Sequence, residues 1–231
     1  MAYPYNKTAY YPTLTQPWYL DVRDWGAKGD GTTVDRTAIQ NALNAAESYG
    51  GGIVFFPPGT YITDATIQLP SRVYMRGVAG TTYNRMAETT DYLNPSNPPD
   101  NFFSKVNTVI RLKDGLSSGI SMLEPKTPND FSSAGVENII FDGNKSKLTG
   151  SNYYGIKITD AASTSQQRSQ AQFRNVMIYH VKGIGFYGGV GQHELFLDWV
   201  TAYGCDTYGF FCVARTSKER VLLLEETVAS E

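Results

Sequence analysis

Cysteine is almost missing from this chain: Cys205 and Cys212 are the only two in 231 residues. A small scaffold held by disulfides needs more, so stability has to come from an apolar core. No Cys/His ligand pattern and no CxxC occur, so neither a metal site nor a cofactor is expected. Excess charge of one sign is also lacking. Twenty Lys and Arg against 22 Asp and Glu leave a formal net charge of −2. That balance gives no electrostatic reason to expect nucleic acid or an anionic membrane as partner. No apolar run approaches the ~20 residues that span a bilayer, and Met1 to Pro12 lacks the basic start and apolar stretch of a signal peptide.

What is abundant points to strands and turns. The chain carries 22 Gly and 16 Tyr, and 41% of its residues are hydrophobic. Gly and Asn accept the positive φ that tight turns require, and the composition is too apolar for a disordered chain. Residues 1–19, rich in Tyr, Pro and Thr, read as an extended arm. From Asp21 a short strand enters the glycine-rich turn Gly26–Gly31. Asp35 is placed to cap a helix running to Ser48, with Gly50 as the stop. Its apolar stripe is Ala38, Ile39, Ala42, Leu43 and Ala46. Strands are expected at Ile53–Phe56, Tyr61–Ile62, Ile67–Leu69, Val73–Met75 and Val109–Leu112. Residues 81–107, with three prolines at Pro95, Pro98 and Pro99, read as an inserted surface loop.

A repeat decides the fold. Phe173–Tyr179 maps onto Leu197–Tyr203 after a shift of 24 positions, and Gly183–Phe186 onto Thr207–Phe210. An earlier copy starts at Val136 and continues at Tyr154–Ile158, with Thr159–Gln170 as an extra loop. Two short strands per two dozen residues, with no helix between, mark a β-solenoid. In this register Ile139, Val176 and Val200 form an inward ladder, as do Phe141, Ile178 and Ala202. On a second face Ile156, Ile184 and Tyr208 align, with Ile158, Phe186 and Phe210. Glu137, Arg174 and Asp198 alternate in sign along one column.

The blocks Asp24–Gly31, Asp35–Leu43 and Gly50–Tyr61 match in order and spacing the opening of the pectate-lyase-like superfamily. That group includes polygalacturonases, rhamnogalacturonases and many phage tail spikes. The resemblance implies an all-β, right-handed parallel β-helix over residues 20–213 with an N-terminal capping helix. It also implies a polysaccharide as partner, and action on it as a glycoside hydrolase or lyase. The expected location is extracellular or on a virion, as a homotrimer if the chain belongs to a tail spike. Polygalacturonases of the group carry Asn-x-Asp, Asp-Asp and Gly-His-Gly on later coils, and none of these occurs here. Residues 214–231 do not fit another coil, which suggests a longer β-helix cut short.

Candidate chemistry follows from the register. Tyr179, Trp199 and Tyr203 take outward places, where rings can stack on the C–H faces of sugars or pack beneath a loop or another subunit. For acid–base work the candidates are Asp142, Asp198, Asp206 and His180, with His193 and Glu194 in a loop. Asp198 pairs with Arg174 in this register, and a solvated histidine in a turn is the plainer alternative for His180. A non-catalytic glycan-binding or fibre module remains the second class of function.

Overall fold

The computed structural model describes residues 18–78, 107–117, 119–127, 131–158, 168–189 and 192–212. The N-terminal arm up to residue 17, most of the 81–107 loop, the 159–167 stretch and the tail from 213 lie outside them. The described chain winds as a right-handed parallel β-helix with three faces.

On the first face lie β1 (Tyr19–Asp21), β3 (Gly52–Phe55), β6 (Val73–Arg76) and β9 (Ala134–Glu137). On the second lie β2 (Asp30–Val34), β4 (Gly59–Thr63), β7 (Thr108–Leu112) and β10 (Ile140–Asp142). The long strands β12 (Arg168–Tyr179) and β14 (Gln192–Tyr203) bend round the corner and serve both faces, at Asn175 and Trp199, whose φ values are 50° and 56°. The third face is a separate five-stranded sheet of β5 (Ile67–Leu69), β8 (Ser121–Pro125), β11 (Tyr153–Ile158), β13 (Gly183–Gly188) and β15 (Tyr208–Cys212).

The 24-position shift is the true coil length at this end, since Phe173 pairs with Leu197 and Ile178 with Ala202. The charge column is real and one member longer than expected. Arg76 pairs with Glu137 at 2.9 Å, and Arg174 with Asp198 at 3.1 Å, all in register. On the third face Ile184 pairs with Tyr208 and Phe186 with Phe210, as expected, but the earlier copy is displaced by two positions: Ile156 lies beside Phe186, and Ile184 beside Tyr154. The reason is a glycine column. Gly155, Gly185 and Gly209 turn inward, where the ends of Ile178 and Ala202 from the second face already fill the space. Tyr154 is thereby turned outward and Ile156 inward.

Helix α1 (Arg36–Ser48), the sole α-helix among the described residues, closes the N-terminal end. Ile39, Ala42, Leu43 and Ala46 are fully buried. The helix also serves the open edge of β5. Gln40 donates to the Gln68 carbonyl and accepts from the Gln68 N–H, both at 2.9 Å, and Arg36 donates to the Thr66 carbonyl. An unpaired strand edge is thus given partners by side chains. Asp35 departs from its expected role. Its carboxylate makes no bond to the helix start; it accepts from the N–H groups of Lys28 and Gly29 at 2.6 and 3.0 Å and so fixes the glycine-rich turn. His193 and Glu194 belong to β14, not to a loop.

Candidate functional site

The sequence-derived candidates scatter over two corners. Asp198 lies on the first face, exposed and paired with Arg174. Asp142 ends β10 and is 1% exposed, with its carboxylate accepting from Arg111 Nε at 2.6 Å and from the Asn144 N–H at 2.9 Å. A buried carboxylate so held is first of all a partner for Arg111, because breaking such a pair strands a charge. Asp206 stands at the corner between the second and third faces, and Lys145 reaches it across an intervening coil at 3.0 Å. His180 occupies that intervening coil. Its ring lies 4.7 Å from the Tyr179 ring and against Gly204. Burial holds its pKa below the ordinary histidine value; Asp142 opposes this, and Lys145 and Arg111 add to it. Asp142, His180 and Asp206 therefore gather at one corner, while Asp198 faces elsewhere.

The aromatic trio is split in the same way. Tyr179 and Tyr203 are register partners, but Tyr179 is half-buried beside Met177, Val109 and Ile140. Trp199 sits four residues before Tyr203 at the opposite corner, 73% exposed and in left-handed backbone. It continues a column in which Asn175 Nδ2 donates to Asn138 Oδ1 at 2.8 Å. Three side-by-side rings are not what the register produces.

What the sequence reading missed is a cleft of about 250 Å³ at the second–third corner. The turn Gly150–Asn152 forms one wall, and Tyr154, Lys182, Ile184, Asp206 and Thr207 form the rest. It spans successive coils: the Asp206 N–H donates to the Val181 carbonyl and the Thr207 N–H to the Gly183 carbonyl, at 3.0 and 2.9 Å. Asn152 can take its place because its φ of 64° is left-handed, a conformation Asn tolerates. Beside the cleft runs a ladder of rings. Tyr154 meets Tyr187 edge-on at 5.6 Å, and Tyr187 stacks on Phe211 at 5.4 Å. Tyr187 and Phe211 turn faces to each other, so the ladder stiffens the wall more than it offers a free face. Lys157 lies 4.9 Å over Tyr154 and 3.5 Å from Glu124. Lys182 has no such carboxylate partner among the described residues. Asp206, the one carboxylate of the cleft, is already matched by Lys145. A signal for the ladder was present in the register of Lys157, Tyr187 and Phe211; for the 150–152 wall there was none.

Among the described residues no group of three or more His, Cys, Asp or Glu could hold a metal ion.

Comparison with known proteins adds names to this geometry. Mannuronan C5-epimerase AlgE6 of Azotobacter vinelandii is 31% identical over 133 residues, which cover 54% of this chain and 12% of that protein. The solved A-module of the same protein superposes with a TM-score of 0.63 at 25% identity, covering 80% of this chain and 44% of that one. Alginate lyase 7 of the same organism is 31% identical over 137 residues, 56% of this chain and 13% of that protein. The bacteriophage phi29 gene product 12 in its pre-mature form shares the fold, with a TM-score of 0.52 at 20% identity over 82% of this chain and 27% of that one. The chain thus spans about an eighth of the length of the curated relatives it matches. A family model for rhamnogalacturonase A/epimerase, pectate lyase-like, matches residues 19–208, and the chain belongs to that family.

Proposed function

We propose that the protein acts on an acidic extracellular polysaccharide, with the corner cleft holding one charged sugar unit and the chemistry being of lyase or epimerase type. The observation that carries this reading is the charge balance of the cleft. Lys182 is a cation without a carboxylate partner there, and the single carboxylate, Asp206, is engaged by Lys145. Glycoside hydrolysis uses two carboxyl groups about 5–10 Å apart, and among the described residues the cleft lining supplies one. Elimination and epimerisation at the carbon beside a sugar carboxylate instead need a cation that neutralises the developing charge, and a base. Lys182 suits the first role, and Tyr154 lines the same cleft. The printed activities of the relatives, mannuronan epimerase and alginate lyase, support this choice over hydrolysis.

Incubation with alginate, polygalacturonate and a neutral glucan separates the outcomes. Absorbance near 235 nm reports elimination, new reducing ends without that absorbance report hydrolysis, and proton NMR reports a change of configuration. Lys182→Ala is expected to lower kcat/KM or affinity on the acidic polymers about tenfold, as for one lost charge-assisted contact. Turnover of the neutral glucan alone would overturn the reading.

A second reading, a glycan-binding tail-spike module assembled as a homotrimer on a virion, is favoured by one observation. Phe196 is 58% exposed on the outward side of β14, apolar surface suited to a subunit contact. Light scattering that returns a trimer, together with glycan binding but no turnover, would favour it.

A further inference from the structure

Resting on the cleft reading above, we propose that the His180 corner is an acid-operated latch on that cleft: taking up a proton drives the imidazole from its seat and slackens the Lys145–Asp206 bridge, so that sugar is held at neutral pH and released in mild acid. The backbone of His180 is the tie between three coils. Its N–H donates to the Tyr203 carbonyl above at 3.0 Å, and its carbonyl accepts from the Lys145 N–H below at 2.9 Å. Two residues further on, Lys182 enters the cleft. The ring itself has little room, since a Cβ on Gly204 would stand 2.9 Å from His180 Cδ2.

The charges facing the ring are two cations and two carboxylates, each cation already joined to a carboxylate in an ion pair. Arg111 comes from β7, Lys145 from the turn after β10, and Asp142 from the end of β10, its carboxylate already given to Arg111. Asp206, from the turn before β15, acts on this group through Lys145. An imidazolium would be a further cation in a half-buried corner and would compete with Arg111 for Asp142. Burial and the two cations keep the ring neutral, with its pKa below the ordinary value. The backbone at His180 is left-handed, with φ of 52°, as it is at Asn138, Asn144, Asn152 and Asn175. Any loss of the ring's contacts therefore acts on a conformation that the contacts help to hold.

The linkage has a definite direction. Above about pH 6.5 the ring is neutral in both folded and unfolded chains, and stability is intact. As pH falls below that value the unfolded chain binds the proton first, and the corner loses stability until the lowered folded-state pKa is passed.

The test uses the whole chain and His180→Asn, a non-titrating residue suited to left-handed backbone. Hydrogen exchange at the Asp206 and Thr207 amides, corrected for the intrinsic rate, is measured at about pH 7.5 and pH 5. Exchange that speeds several-fold in the wild type at the lower pH and stays flat in the variant is expected, whether or not a sugar binds. Titration with a tetramer of a (1→4)-linked uronic acid, ionised throughout this range, is expected to weaken about fivefold at the lower pH in the wild type alone. Equal pH dependence in both proteins would overturn the latch. So would faster exchange with unchanged affinity, because the corner would then not reach the cleft. Absence of binding at either pH would sink the cleft reading, and the exchange data would still decide whether the corner opens.

Discussion

The first and last described coils treat the same interior column in opposite ways. On the first face the inward positions are Leu20, Val54, Met75, Val136, Phe173 and Leu197, in successive register. Their exposures are 7, 0, 0, 1, 0 and 41%. At the N-terminal end α1 lies across the column and its polar side chains satisfy the β5 edge. At the other end, among the described residues, no helix lies over β14. A β-helix has no closed core of its own; each coil is buried by its neighbours, so the terminal coils need something else. Among the described residues the inward column is therefore best buried at the capped end and through the middle.

The largest expected effect breaks that contrast directly. Leu43 is fully buried under the cap, and Leu43→Asp puts a charge there without a partner, costing roughly 4–5 kcal/mol. Aggregation or a collapse of the melting temperature is expected. Leu197→Asp, the same chemistry at the open end, should cost about 1 kcal/mol or less. Equal melting temperatures for the two variants would mean that α1 is not a cap or that the far end is covered after all.

The contrast also explains what could be read in advance. The 24-position shift and the charge column were legible because strongly inward and strongly charged residues repeat there: Phe173 with Leu197, Arg174 with Asp198. The capping helix was legible from its apolar stripe. On the third face the 24-position shift held between β13 and β15, but β11 came out two positions away. Strand alternation assumes that every second residue faces inward. Gly155 and Gly185 break this assumption, since a residue without a side chain leaves no hydrophobic mark while its backbone is pressed against Ile178 and Ala202. The cleft escaped for a related reason. Its wall at Ser151 and Asn152 is polar and irregular, and only three-dimensional closure brings it beside Lys182 and Asp206. Asp35 looked like a helix cap, but two turn N–H groups outcompeted the helix for its carboxylate.

A medium effect comes from that same glycine column. A Cβ on Gly185 would stand 2.7 Å from the Gly209 carbonyl, 2.9 Å from Cys205 Sγ and 3.0 Å from Ala202 Cβ. On Gly209, one coil nearer the open end, the nearest atom is Ala202 Cβ at 3.4 Å, an ordinary contact. Gly185→Ala is expected to cost about 1–3 kcal/mol by overpacking. Gly209→Ala should be within about 0.5 kcal/mol of neutral. Urea unfolding of both variants makes the comparison, and a neutral Gly185→Ala would show that the interior has slack the crowded column does not suggest.

The smallest effect concerns Trp199. At this corner Asn138 and Asn175 sit in left-handed backbone and bond to each other across coils, and the next place in the column is held by tryptophan at φ 56°. A bulky residue is costly in this conformation, and Asn is among the residues that visit it most readily. Trp199→Asn should relieve part of that cost and offer the column a further amide, a gain of about 0.5–1 kcal/mol, or roughly 2 °C in melting temperature. The ring is 73% exposed, which leaves its surface accessible to a sugar. Stacking on a sugar is worth about 1–2 kcal/mol by buried area. If the indole serves the glycan, Trp199→Asn melts higher and binds the polymer about tenfold more weakly. A lower melting temperature with unchanged affinity would instead make Trp199 a packing residue, and would leave the corner cleft as the only sugar contact supported on this surface.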